Sequence, residues 1–228
     1  MLNLKNAFTK AIFVFVAISN FAYASDAKFY LGLDASRQDL NLDKSTNYLY
    51  SSIKAKDLYK NNSINPSIFA GVDVLDFLKI ETSYTQSSTT KKNILVYNDG
   101  TTSALDDTNY QIKTKTIALD FKPYIKINDN FSAFAIVGAS YNKININEKD
   151  TILDLTNSEL INSELEGSIN KLAPSIGFGF EYFASPNLAL RTQAKYTHLN
   201  VKTDQNSDFL LGKIQGMSQV NAGIAYYF

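Results

Sequence analysis

Residues 217–228 read M-S-Q-V-N-A-G-I-A-Y-Y-F. Side chains on an extended strand alternate with period two, so Val220, Ala222, Ile224, Tyr226 and Phe228 share one face and Gln219, Asn221, Gly223, Ala225 and Tyr227 share the other. The first face is apolar and ends in aromatic rings. Termini of soluble domains tend to be frayed and polar, and a bare apolar strand edge promotes aggregation. The pattern suits a strand that closes a barrel in a membrane, with the apolar face against lipid, the rings at the interface and the other face lining the interior.

The same alternation recurs upstream. Residues 28–36 set Phe29, Leu31, Leu33 and Ala35 against Tyr30, Gly32, Asp34 and Ser36. Residues 66–75 put Ile68, Ala70, Val72 and Val74 outward, with Pro66 at the strand entrance, where a missing donor is tolerated. The next strand places Leu78, Ile80, Thr82 and Tyr84 outward and Lys79, Glu81, Ser83 and Thr85 inward. Residues 112–124 follow with Ile117, Leu119 and Phe121 outward and Asp120 and Lys122 inward. Residues 172–182 turn Ile176, Phe178, Phe180 and Tyr182 outward and Glu181 inward, and residues 188–197 turn Leu188, Leu190 and Tyr196 outward and Arg191 and Lys195 inward. In residues 131–142, Phe134 and Ile136 compete with Ala133, Ala135 and Val137 for the outer face, and the register stays open. Segments of about ten residues match a tilted transmembrane strand.

The connections alternate in length. Leu75-Asp76, residues 126–130 and residues 184–187 are tight, whereas residues 37–65, 87–111, 143–171 and 199–216 are long and polar. Structureless loops of that length argue against a compact soluble domain; in an outer-membrane barrel, short periplasmic turns and longer extracellular loops are the rule.

At the other end, Lys5 and Lys10 precede an apolar run, residues 11–18, and Phe21-Ala22-Tyr23-Ala24 precedes Ser25. A basic region, a short apolar core and an A-x-A site describe a secretory signal peptide, residues 1–24, cleaved after Ala24. The run is too short to cross a bilayer as a helix, which takes about 20 residues. Cleavage removes two lysines from 22 bases and none of the 22 acids, leaving a mature charge close to −2. That balance excludes the strongly basic face a nucleic-acid partner requires. With no cysteine the chain has neither a disulfide framework nor a lipid-modified N-terminal Cys. A single domain over residues 25–228 is the economical organisation, and the slightly negative mean hydropathy fits strands of which only alternate residues meet lipid.

The aromatic final residue, with apolar residues at alternate positions before it, resembles the C-terminal signature of bacterial outer-membrane β-barrels. Phe228, Tyr226, Ile224, Ala222 and Val220 carry that resemblance. Over the mature chain the pattern is similar to the small eight-stranded group that includes the OmpA-like transmembrane domain and OmpX-like surface proteins, some of them adhesins. The resemblance implies an eight-stranded antiparallel transmembrane barrel in the outer membrane of a Gram-negative-type bacterium. The implied partners are outer-membrane lipid, lipopolysaccharide and the barrel assembly machinery that reads the signature. The chain stops at its eighth strand, so the soluble peptidoglycan-binding domain of full-length OmpA-like proteins is not expected.

The inward faces collect Asp34, Asp73, Lys79, Glu81, Asp120, Lys122, Glu181, Arg191 and Lys195. An eight-stranded barrel is just wide enough for side chains to fill, and buried charges must pair or cost several kcal/mol each. The expectation is a salt-bridged plug centred on Glu81 and Asp120 with Arg191 and Lys195, without metal, cofactor or useful conductance. His198 is the sole histidine. Eight-stranded lipid A acylhydrolases and acyltransferases use a histidine near this level with a serine nucleophile, which in the hydrolase follows by two; here that position is Asn200. A non-enzymatic reading follows. The loops are the other candidates for function. Residues 37–65 hold Tyr48, Tyr50, Lys54, Lys56 and Tyr59, more aromatic character than a solvating loop needs, while residues 143–171 are acidic without regular calcium-ligand spacing. The expected function is a surface protein whose loops bind host or matrix molecules. A purely structural barrel is the main alternative; a small-solute pore, a lipid A-modifying enzyme and a soluble lipocalin-type barrel rank behind it.

Overall fold

The computed structural model describes residues 27–42, 64–98, 103–154, 159–202 and 213–228. The signal-peptide expectation and the loop residues Tyr48, Tyr50, Lys54, Lys56 and Tyr59 lie outside the described residues. The strands are β1 (Phe29–Leu42), β2 (Asn65–Leu75), β3 (Leu78–Asn98), β4 (Ser103–Lys126), β5 (Phe131–Asp154), β6 (Glu159–Ser185), β7 (Leu188–Thr197) and β8 (Lys213–Tyr227). Each pairs antiparallel with the next, and β1 pairs with β8 from Tyr30↔Tyr227 to Leu40↔Met217, which closes the barrel and leaves its membrane wall without an edge. A two-residue bridge, Val201–Lys202, adds to β8 above β7.

Facing follows the alternation over the lipid-crossing part of each strand. Leu33, Ile68, Phe178, Ile224 and Phe228 are exposed on the outside, while Asp34, Glu81, Asp120, Glu181 and Arg191 are buried inside. On β5 the register resolves with Ser132, Phe134, Ile136 and Ser140 buried and Ala135 and Val137 exposed. Large apolar groups therefore also point inward near the periplasmic end. There is room because the opposite residue is small: Phe134 pairs with Gly179 and Phe69 with Gly32, and a Cβ at either glycine would meet the ring.

The tight connections are Asp76-Phe77, residues 127–130 and Pro186-Asn187, the first shifted by one residue from Leu75-Asp76. In the second, Asn128 Oδ1 accepts the N–H groups of Asn130 at 3.0 Å and Phe131 at 2.8 Å, an Asx turn that satisfies the reversing backbone.

Two of the four long loops are not loops. Residues 87–98 extend β3, 103–111 extend β4, 143–154 extend β5 and 159–171 extend β6, paired in unbroken register from Tyr84↔Ile117 to Asn98↔Ser103 and from Tyr141↔Leu172 to Asp154↔Glu159. The physical reason is a reversal of polarity at one level. Below the row Tyr84–Ile117–Tyr141–Leu172 the outer face is apolar; the next outward row is Gln86–Lys115–Lys143–Asn170. Above that level the inward positions Ile112, Ile144 and Ile146 are buried instead, so a strand template with apolar residues outside misses the segment. From Phe131 to Tyr141 the chain advances about 33 Å at ~3.3 Å per residue, or about 25 Å along the membrane normal at ~40° tilt, the height of an outer-membrane apolar band.

The β5 register is checked on this cysteine-free chain with single cysteines carrying a fluorophore. Val137→Cys is expected to be quenched by nitroxide-labelled lipid and Ile136→Cys to be spared; the opposite ranking contradicts the register.

Candidate functional site

The barrel interior is stacked in four layers, each dictated by which residues alternate inward. Nearest the periplasm lie the rings of Tyr30, Phe69, Tyr124, Phe134, Phe183 and Tyr227. Four of them surround Lys79, whose Nζ sits 4.9 Å from the Tyr124 ring centre, 5.0 Å from Tyr227, 5.5 Å from Tyr30 and 5.7 Å from Phe183. A desolvated ammonium gains from ring faces, and this one also pairs with Glu181 and donates to Tyr227 Oη at 2.6 Å. Tyr227 in turn donates to Glu181 Oε1 at 2.8 Å. Asp73 Oδ1 stands 3.9 Å from the same ammonium, at the wall of a periplasmic mouth cavity of about 780 Å³.

Above this layer lies the charged centre. Arg191 on β7 donates from Nε to Asp34 Oδ1 at 2.9 Å and from Nη2 to Asp34 Oδ2 at 2.6 Å, a bidentate fork onto β1. Its Nη1 donates to Glu81 Oε2 on β3 at 2.6 Å, and the guanidinium lies 3.1 Å from the Phe69 ring centre. Lys122 Nζ is 2.7 Å from Glu81 Oε1 and donates to Gln193 Oε1 at 2.9 Å, while Tyr30 Oη donates to Glu81 Oε2 at 3.1 Å. Lys195 donates to Asp120 Oδ2 at 2.9 Å. Glu81 is 1% exposed and Lys122 2%, so these pairs operate without bulk screening.

The seven inward charges singled out from the sequence, Lys79, Glu81, Asp120, Lys122, Glu181, Arg191 and Lys195, thus all lie inside and each faces an opposite charge. They are not one centre. Arg191 joins Glu81, Lys195 joins Asp120, and Lys79 with Glu181 forms a separate pair among the rings. Asp34 is the partner the centre of the expected network lacked.

The third layer is neutral and polar. Gln219 Nε2 donates to Ser36 Oγ at 3.1 Å, Thr85 Oγ1 to Ser67 Oγ at 2.8 Å, and Thr116 Oγ1 to Asn142 Oδ1 at 3.0 Å. The fourth, toward the outside, is apolar: Ile112, Ile144, Ile146, Leu199, Ile214 and Met217 pack together with Leu40 and Ile169 beside them.

Among the described residues no cluster of His, Cys, Asp or Glu could hold a metal ion. His198 is exposed; its backbone N–H donates to Pro174 O at 3.0 Å, and among the described residues no serine hydroxyl bonds its ring. The signature residues Val220, Ala222, Ile224, Tyr226 and Phe228 are exposed on the outer face.

Beyond the membrane, the outward face of the β5–β6 hairpin is a ladder of cross-strand bonds. Asn147 donates to Glu164 at 3.1 Å and Glu166 at 2.9 Å, Ser168 donates to Asn145 at 2.9 Å, and Lys149 pairs with Glu164 at 2.8 Å. Hydrogen bonds from Lys149 and Asn147 hold the Glu164 carboxyl below its usual range, and the bond to Glu164 holds the Lys149 amine above its own. The tie is therefore complete at neutral pH. It weakens as pH falls through the lowered carboxyl value or rises through the raised amine value.

The profile of the outer membrane protein β-barrel domain family matches residues 8–228. Neisserial surface protein A has a similar structure, at 17% identity and a TM-score of 0.51 over 90% of this chain and 100% of that one. So has a major outer membrane protein from Thermus thermophilus, at 12% identity and a TM-score of 0.53 over 90% and 100%. At such identities these likenesses show the fold alone. No curated protein matches the chain.

Removing Arg191 would leave the buried carboxylates of Asp34 and Glu81 without the cation they share. Arg191→Met is expected to cost about 3–5 kcal/mol in urea unfolding followed by gel mobility, as for a buried pair stripped of one partner. A loss under about 1 kcal/mol contradicts the assigned role.

Proposed function

We propose a surface-contact role for this chain, which belongs to the outer membrane protein β-barrel domain family and resides in the outer membrane. In this reading the barrel is a non-enzymatic, closed support whose interior ion pairs act as a plug. Its extracellular hairpins and loops bind external or host molecules. The observation that carries the reading is the pair of hairpins that leave the membrane as ordered sheet. Past Tyr84, β3 continues to Asn98, about 46 Å at ~3.3 Å per residue, still paired with β4. A barrel that only occupies the membrane has no use for such projections, and loops held on a rigid scaffold are where binding concentrates. Tyr48, Tyr50, Lys54, Lys56 and Tyr59 in the segment between β1 and β2 supply the aromatic and cationic anchors of the proposed surface. The mature chain starts at Ser25 after signal-peptide cleavage, and the alternating end at Phe228 serves as the signal for the assembly machinery.

A purely structural barrel is the competing reading, and the same experiment separates the two. Residues 43–63, 90–111 and 147–166 are replaced by short turns, and cells displaying the variant are tested for adhesion to host-cell and matrix surfaces. Adhesion is expected to fall at least tenfold, with the barrel still shifting mobility on heating. Unchanged adhesion by a folded variant supports the structural reading instead.

A further inference from the structure

The polarity reversal at the outer end of the lipid band exposes an arrangement that a sheet normally avoids. Lys115 on β4 and Lys143 on β5 are direct cross-strand partners on the outward face. Lys113 follows on the same face, opposite Asn145. Directly opposed residues carry Cβ atoms about 4.5–5.5 Å apart, and like charges there destabilise the pairing. The rows offer no relief. Gln86 and Asn170 flank Lys115 and Lys143 in their row, and Ser88 and Ser168 complete the row of Lys113. Among the described residues none of the three lysines has an ion-pair or hydrogen-bond partner. The nearest acid on that face of the described residues, Glu166, lies two rows beyond Lys143 and is bonded to Asn147.

Position supplies the missing partner. The three ammonium groups begin one row past Ile117 and Tyr141, where the apolar band ends and headgroups start. We propose that Lys113, Lys115 and Lys143 form a phosphate-binding site on the outside of the barrel, occupied by the phosphorylated headgroup of an outer-leaflet glycolipid. Three flexible lysine stems on two adjacent strands can converge on one phosphate and bring its charge between the opposed pair. The repulsion then becomes a shared attraction, and the site orients the barrel against its lipid. It is independent of the adhesive surface, because the hairpin replacement described above keeps all three lysines.

The test uses the full mature chain refolded in zwitterionic detergent. Lipid A carrying both phosphates, the same lipid after dephosphorylation, and inorganic phosphate are titrated in turn. Tight binding is expected for phosphorylated lipid A, at least tenfold weaker binding for the dephosphorylated lipid, and none for inorganic phosphate at matched concentration. The triple variant Lys113→Gln/Lys115→Gln/Lys143→Gln is expected to lose at least tenfold in affinity for the phosphorylated lipid while keeping its heat-dependent mobility shift. In lipid-free micelles it is expected to be no less stable than the wild type, since the repulsion is gone. The triple arginine variant is expected to bind. Equal binding by the glutamine variant overturns the site, and equal binding of inorganic phosphate overturns the lipid as its occupant.

Discussion

Everything inside this barrel depends on what can be done with charge in a space packed with side chains and screened from bulk water. Eight strands leave a lumen that side chains fill, and the sequence commits carboxylates and amines from β1, β3, β4, β6 and β7 to it. Arg191 is the group that makes this workable. It spans from β7 to Asp34 on β1 and to Glu81 on β3, and so ties opposite walls together. Desolvating such charges costs several kcal/mol each unless every one is matched. Glu81 accordingly has Lys122 as a second cation, and Asp120 has Lys195. Lys79 meets the same demand by other means, through Glu181 and a surround of rings.

The second organising constraint is the level at which the surroundings change from lipid to water. Within the band the barrel is inside out, apolar outside and polar within. Past Tyr84, Ile117, Tyr141 and Leu172 the same strands continue without a break, yet Ile112, Ile144 and Ile146 now face in and a polar ladder faces out. The hairpins hold their shape for the reason a soluble protein does. The apolar layer they share with Leu199, Ile214 and Met217 lies on the outer side of the neutral polar layer that covers the ionic one. The family places this architecture in the outer membrane; the contact role proposed for its projections rests on their shape.

What was legible in the sequence divides along these lines. The lipid-crossing faces could be read because one solvent acts on one face over a fixed length, which makes alternation a direct record of orientation. The closing strand from Val220 to Phe228 and the inward set from Lys79 to Lys195 were visible for that reason. β5 was not, because Phe134 and Ile136 fill space inside that Gly179 and its neighbours leave open, a fact held by another strand. The extracellular extensions were missed because the template stayed fixed while the solvent changed, although N-K-I-N-I-N at 142–147 was still alternating. The pairing of Arg191 with Asp34 spans 157 positions and depends on barrel closure, so composition could name the charges but not match them.

The central claim is that the matched interior closes the lumen, and planar-bilayer recording tests it most directly. The account predicts no current steps above background for the wild type, and steps for Glu81→Ala/Arg191→Ala inserted in the same bilayers. Regular steps from the wild-type protein would contradict it.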